Sequence, residues 1–337
     1  MTDLIQIRPL DAEDAAKLTA CFARCYGDSY AAGFFYDPAA IRARIADGRL
    51  HSVVAMTPAG EIVGHMALTH RHPHALTVEA GNTIVDPRYR SRGLAARLGA
   101  ALFESCRLGG YVGFHHYPTT AHPIMQKLAV QAGGVETGVM LAYIPEDTDY
   151  KDLSGKSEQG RLAVVTVYQP IAVAPAREVF LPPRFESMLR TIYQRAGLER
   201  TVLTPAKTPP PSPTRLRTSF DDARRLMHIH VERAGADARD RIREATTGCP
   251  AEATHVDLLL SDPATPHAVE ALRTRNFFFC AVLPEFASSD VLRLQRLREG
   301  ENPRALPDLV YPEAREILKA ALSDRASARV EANSVEE

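Results

Sequence analysis

The chain has 337 residues, 45% of them hydrophobic, enough to bury a sizeable core, and its length favours two domains over one. Forty Lys and Arg against 41 Asp and Glu leave a formal net charge of −1, which argues against a broad nucleic-acid-binding face, so any anion site has to be local. No apolar run approaches the ~18 residues of a membrane span and the start lacks a secretory pattern, so a soluble, cytoplasmic protein is expected. The five cysteines are odd in number and lack zinc-type CxxC pairs, so neither a disulfide framework nor a structural zinc is indicated. Cys21 and Cys25 share a helical face as small apolar packers.

In chain order, "LIQIRPL" alternates as a strand, and Asp11 offers an N-cap to a helix whose Ala15, Leu18, Cys21, Phe22 and Cys25 recur at helical spacing. A short helix in "DPAAIRARIADG" precedes two β runs joined at "PAGE". A third strand, "LTVEAGNTIV", follows, with Gly81 a candidate bulge. After an arginine-rich loop, "LAARLGAALFESC" places Leu94, Leu98, Ala101 and Leu102 on one helical stripe. Strand "GYVGFHH", helix "HPIMQKLAVQAGG" and strand "VETGVMLAYIP" close a mixed α/β unit at 1–150.

A polar linker, 151–160, leads to a second unit at 161–325, interrupted by the proline cluster 204–214, an extended loop or second linker. Within it, "THVDLLLS", "TPHAVEALRTRN" and "FFFCAVLPEF" echo the strand, helix and strand that close the first unit, a weak sign of duplication. The tail 326–337 is expected to be flexible.

The loop "VDPRYRSRGLAARL" carries the chemistry. A strand end handing over to a helix N-terminus aims free N–H groups and the helix dipole at one spot, and Gly93 and Ala95 let a phosphate approach the backbone. The stretch resembles the acetyl-CoA-binding signature of the GCN5-related N-acetyltransferase (GNAT) superfamily, Arg/Gln-x-x-Gly-x-Gly/Ala, with Arg90, Gly93 and Ala95 at its positions. The opening "IQIRPLDAEDAAKL", the hairpin ending "EIVGHMAL" and the order of elements to about residue 148 are similar to that family as well.

The resemblance implies an acyl-CoA N-acyltransferase fold of α+β mixed type, duplicated as two mixed sheets flanked by helices, in a monomer acting as a pseudo-dimer or in a homodimer. It implies transfer of acetyl from acetyl-CoA, or another acyl-CoA, to a small-molecule amine by direct attack. Arg88, Arg90, Ser91, Arg92, Gly93, Leu94 and Ala95 would then hold the pyrophosphate, with Arg92 and Arg97 reaching the adenosine phosphates. Thr83, Ile84 and Val85 would pair with the pantetheine arm.

For the chemistry, Glu79 stands where many relatives carry their base. The family's tyrosine acid is missing, because Ala129 occupies its position four residues before Gly133. Candidates to replace it are His115 and Tyr117, expected on one strand face with His116 on the other, and His122. His70, His72 and His74 lack a completing ligand and read as a loop over the cleft, so no metal is expected. The second unit's counterpart of the donor loop has Glu232 and Asp237 around Gly235, an acidic setting that repels pyrophosphate, so one CoA site is expected. Tyr168, Arg184 and Tyr193 are read as interface packing. Two other readings stay open: a non-catalytic acyl-CoA-binding module, and an aminoacyl-tRNA-dependent transferase, which the neutral balance of charge disfavours.

Overall fold

The first strand, β1 (Gln6–Pro9), pairs with β2 (His51–Met56) after the chain has made α1 (Ala15–Tyr26) and α2 (Pro38–Ala46). The computed structural model describes residues 4–148, 160–205, 207–209, 211–298 and 308–336, which leaves the linker expected at 151–160 outside the described residues except for Gly160. Pro38 opens α2 with its fixed φ while the Asp37 side chain caps it, accepting from the Ala39 N–H. The apolar stripe of α1 is buried in full, packing with α2 against Val54, Ile62 and Ala67 on one face of the sheet. The opposite face, with Val53, Ala55 and Val63, is covered by Leu94, Leu98 and Leu102 of α3 (Leu94–Leu108). In β2 the period of two puts these residues on alternate sides, and in β3 (Ile62–Thr69) a register slip against β2 at Val63 shifts the alternation, so that Ala67 shares a face with Ile62.

The remaining strands of the first half are β4 (Thr77–Val85), β5 (Gly113–His116), β6 (Val135–Ile144) and β7 (Leu162–Pro170), with α4 (Ile124–Gln131) between β5 and β6. β4 and β5 are parallel, and they pair only from Thr77 opposite Gly113 to Glu79 opposite His115. Beyond Glu79 the two strands part. The cause lies in β4, where the register against β3 slips between His65 opposite Ile84 and Ala67 opposite Gly81, a bulge that includes Asn82 at φ 52°. Gly81 had marked this bulge in the sequence.

The second half contains β8 (Arg177–Val179), α5 (Glu186–Arg195), β9 (Arg200–Val202), β10 (Arg215–Asp221), β11 (Leu226–Arg233), α6 (Ala238–Thr246) and β12 (Ala253–Leu259). It ends with α7 (Thr265–Arg273), β13 (Phe278–Leu283), β14 (Val291–Leu297) and α8 (Pro312–Glu336). Its strands run in the order β10-β11-β12-β14-β13, and the first half has β3-β4-β5-β7-β6, with the parallel pair and antiparallel neighbours in the same places. The internal repeat is therefore a repeat of topology. The echo between β5-α4-β6 and β12-α7-β13 was its trace in the sequence.

Two features differ from the sequence reading. The strand expected to open the second unit, β7, lies between β5 and β6 and completes the first half, and among the described residues the two expected sheets run together into one of 12 strands beside a separate β8-β9 pair. The join is β6 against β13, with Gly138 opposite Ala281. A Cβ at Gly138 would come within 2.3 Å of the Ala281 Cβ, so glycine is what allows the two edges to meet.

The tail is also different: α8 continues to Glu336, burying Ala321, Ala328 and Ala332, and it packs across β6 and β13. Its anchor is the buried Arg273, which ion-pairs with Asp324 and, at 2.7 Å, with Glu331. Small and charged residues that read as a frayed end form one seam of a helix. No helix among the described residues is long and apolar enough to cross a membrane.

Candidate active site

The donor-type loop is held from behind by a buried carboxylate. Asp86 caps the turn after β4, accepting from the Arg88 N–H at 3.0 Å and ion-pairing with Arg24 at 2.5 Å and Arg88 at 2.8 Å. Burial pushes the Asp86 carboxyl up, but the hydrogen bonds from Arg88 and Arg24 outweigh it and leave the pKa at about 2. Ser91 and Gly93 then turn through the left-handed region, at φ 60° and 70°, and Leu94 starts α3. A Cβ at Gly93 would meet no atom within 4 Å, so the space over this helix N-terminus is open. The first turn of α3 has N–H groups without intrahelical partners facing it.

A groove of about 510 Å³ runs from this loop between α3 and α4, lined by Thr83, Ile84, Val85, Arg90, Ser91, Gly93, Leu94 and Ala95 among others. Two of the arginines expected there point elsewhere. Arg88 is taken up by Asp86 and by Glu61 at 2.5 Å, and Arg92 lies over the Tyr89 ring, 5.0 Å from its centroid. Arg97, expected to reach a phosphate, donates to the Ile5 carbonyl instead. Carboxylate, ring and carbonyl partners inside the protein claimed these side chains.

Where β4 and β5 part, a second cavity continues inward from the groove, sharing Tyr26, Thr83, His122 and Met125 with it. Glu79, Asn82, His116, Tyr117 and Tyr143 also line it. Glu79, Tyr117 and Tyr143 form at the same time one wall of a third cavity, of about 560 Å³, between the two halves. Glu79 is ion-paired with Arg71 at 2.6 Å. Burial raises its carboxyl, Arg71 more than compensates, and the net effect is a pKa below the usual carboxylate value, so the group is an anion at neutral pH. The Tyr117 hydroxyl is buried with no hydrogen-bond partner among the described residues, and burial beside Glu79 pushes its pKa well up, so it keeps its proton.

His115 is corrected. It is fully buried, with Nε2 bonded to the Pro284 carbonyl at 2.9 Å, and it lines none of these cavities. The strand ends at His116, so the alternation expected to pair His115 with Tyr117 stops there, and His116 faces the cavity instead. His122 lines both the groove and the inner cavity, with burial and then Arg90 holding its pKa below the ordinary histidine value. Tyr168 and Tyr193 are buried packing residues and Arg184 pairs on the surface with Glu270 and Glu331.

The far wall of the third cavity comes from the second half, and the sequence reading missed it. β11 alternates His228 and His230 against buried Met227, Ile229 and Val231, while β12 brings Asp257 and β14 brings Arg293 into register beside them. Asp257 and Arg293 form a buried bidentate pair at 2.7 and 2.8 Å. Arg224, in the β10-β11 turn, reaches the inner cavity and lies 5.7 Å from the centroid of the Tyr143 ring. The period-two pattern of polar residues in "LMHIHVER" was the available signal. It did not reveal that this polar face would meet the first half.

Residues 16–122, which hold α1 to β5 and the whole donor-type loop, match the acetyltransferase (GNAT) family. This part of the chain is a GNAT acetyltransferase domain. The GNAT match ends before β6 and β7, which complete the half-sheet. Solved structures to which the chain is similar include the ribosomal-protein-S18-alanine N-acetyltransferase of Escherichia coli, at 16% identity over 51% of this chain and 96% of that one, TM-score 0.39. A phosphinothricin acetyltransferase from Sinorhizobium meliloti, in complex with AcCoA, is 19% identical over 50% of this chain and 89% of its own, TM-score 0.40. A putative acetyltransferase from Salmonella typhimurium, with its cofactor acetyl-CoA, is 18% identical over 51% and 96%, TM-score 0.40. No curated protein matches the chain in sequence.

At the place in the second half that corresponds to the GNAT loop, between β11 and α6, the proline-rich segment is packed in. A Cβ at Gly235 would lie 1.8 Å from the Ser212 carbonyl oxygen. The Ala234 N–H donates to Asp262 and the Gly235 N–H to the Thr214 hydroxyl, while Asp237 accepts from the Thr214 N–H and hydroxyl. The chain's own side chains occupy these donors.

Proposed function

We propose that the protein is an acyl-CoA-dependent N-acyltransferase that moves acetyl from acetyl-CoA to the amine of a polar small molecule, using a single donor site in the first half. The observation that carries this reading is the wall shared by the two inner cavities: Glu79, Tyr117 and Tyr143 face both the space reached from the donor groove and the space between the halves. Donor and acceptor would meet there.

The open helix N-terminus at Gly93 to Ala96, with Arg90 beside it, suits a pyrophosphate, and the strand end Thr83–Val85 suits the extended arm that follows. The parting of β4 from β5 leaves backbone groups beyond Glu79 available to that arm and to the thioester oxygen. The second half, a GNAT-like repeat whose own loop is filled, serves as the acceptor wall. No acidic side chain among the described residues lines the groove.

Glu79, an anion held by Arg71, accepts a hydrogen bond from the attacking amine and passes its proton to water in the cavity. Its pKa is too low for it to be a strong base, so it acts by orienting and relaying. Tyr117 donates a hydrogen bond to the departing thiolate. A phenol held this far above a thiol keeps its own proton. His122, on the boundary of groove and cavity, is placed to return a proton to the sulfur from solvent.

Calorimetric titration of the full chain with acetyl-CoA tests the donor site, with an Arg90→Glu, Gly93→Glu variant as its control. One site in the wild type, absent from a folded variant, supports the reading. Two sites would assign donor binding to the second half too, and the absence of binding would overturn the proposal.

A further inference from the structure

The cavity between the halves holds a cluster of side chains that acyl transfer does not use. His72, on the loop between β3 and β4, meets His230 of β11 and Asp257 of β12, and one ring nitrogen or carboxylate oxygen from each lies within 4.8 Å of the other two. The two imidazole rings come from opposite halves and their centroids are 4.2 Å apart. Nδ1 of His230 is buried without a hydrogen-bond partner among the described residues. Asp257 accepts one N–H of Arg293 on each oxygen, which leaves each oxygen a second lone pair. All three residues line the same cavity.

Two imidazoles and a carboxylate make a donor set for a first-row divalent ion, and three protein ligands leave the remaining positions to the cavity. We infer that His72, His230 and Asp257 bind one divalent transition-metal ion of the Zn²⁺ class, bridging the two halves and open toward the cavity. Arg293 is then the outer partner that fixes the Asp257 carboxylate, the role such hydrogen bonds fill at metal sites. The charged side chains of this cavity, Arg71, Arg217 and Arg293 against Glu79, Asp221 and Asp257, balance one another, so the ion adds the positive charge. If the cavity receives the acceptor, as proposed above, that charge selects acceptors with an anionic or lone-pair group beside the amine. The ion site itself does not depend on that reading.

The test uses the untagged full chain, freed of metal with a chelator and titrated with Zn²⁺ by calorimetry and with Co²⁺ by visible absorption. One equivalent of each ion is expected, with the Co²⁺ band of a nitrogen and oxygen site. The His72→Ala and His230→Ala variants should each lose the stoichiometric site, and His74→Ala, an exposed residue on the same loop, should keep it. His72 is on a loop, so its variant keeps the fold even where His230→Ala does not, as circular dichroism and melting temperature will show. Absence of stoichiometric binding by the wild type, or equal binding by the folded His72→Ala variant, would overturn the site. Acetyl-CoA titrated separately divides the two proposals: lost metal binding with intact acetyl-CoA binding sinks only this one.

Discussion

Glu79 occupies the point where the two cavities share a wall, and its chemistry follows from Arg71. A carboxylate held ionised by a guanidinium 2.6 Å away orients an amine better than it removes a proton. Glu79→Gln is expected to lower kcat/KM by about 100-fold or more while acetyl-CoA affinity stays unchanged, measured by steady-state kinetics and calorimetry on the same preparation. Tyr117→Phe would remove the proposed hydrogen bond to the leaving group, with an expected loss of about tenfold in kcat and KM for the donor unaltered. Activity after Glu79→Gln equal to that of the wild type would remove the residue from the mechanism. Neither position was ambiguous as a residue type in the sequence, but their meeting across one wall depends on where β5 stops.

At the scale of elements, the bulge in β4 sets the geometry of the site, and His65 supports it from β3. The His65 ring is fully buried, 2.8 Å from the Asn82 carbonyl and 2.9 Å from the Ser52 hydroxyl. Burial holds its pKa at about 4, and the same cause puts His115 and His116, both on β5, at about 4. A histidine unfolds to a group of pKa ~6.5, so between about 6.5 and 4 the unfolded chain binds more protons than the folded one. Stability is thus complete above that window and falls as the pH drops through it. Urea unfolding from pH 7.5 to 4.5 should show this decline, and His65→Gln should flatten only part of it, because burial also holds His72 and His228 at about 4 and His255 lower. A stability independent of pH over that range would mean these rings are hydrated in solution.

For the whole molecule, the decisive contact is the meeting of β6 and β13 at Gly138. Because a Cβ there would overlap Ala281 and the Cys280 carbonyl, Gly138→Leu has to push the halves apart or disrupt one edge. The expected cost is about 1–3 kcal/mol in unfolding free energy, with acetyl-CoA binding retained and the KM for the acceptor raised, because the groove proposed for the donor lies within one half and the cavity proposed for the acceptor does not. Calorimetry and kinetics on one variant separate the two effects. A raised donor Kd with an unchanged acceptor KM would contradict this division of labour.

The sequence by itself determined the elements of the first half, the bulge at Gly81 and the loop around Gly93. Each rests on local chemistry: period-two and helical spacing, N-caps, and a glycine that can adopt positive φ. Only the tertiary structure decided the rest. β7 fits between β5 and β6 because that gap is open, a fact of sheet order that a single strand does not carry. Arg88, Arg92 and Arg97 read as phosphate ligands until Asp86, Glu61, the Tyr89 ring and the Ile5 carbonyl claimed them. The tail became a helix because Asp324 and Glu331 find Arg273. The facing of His72 with His230 and Asp257 depends on two half-sheets joined at one glycine, a long-range contact that no local pattern in the chain encodes.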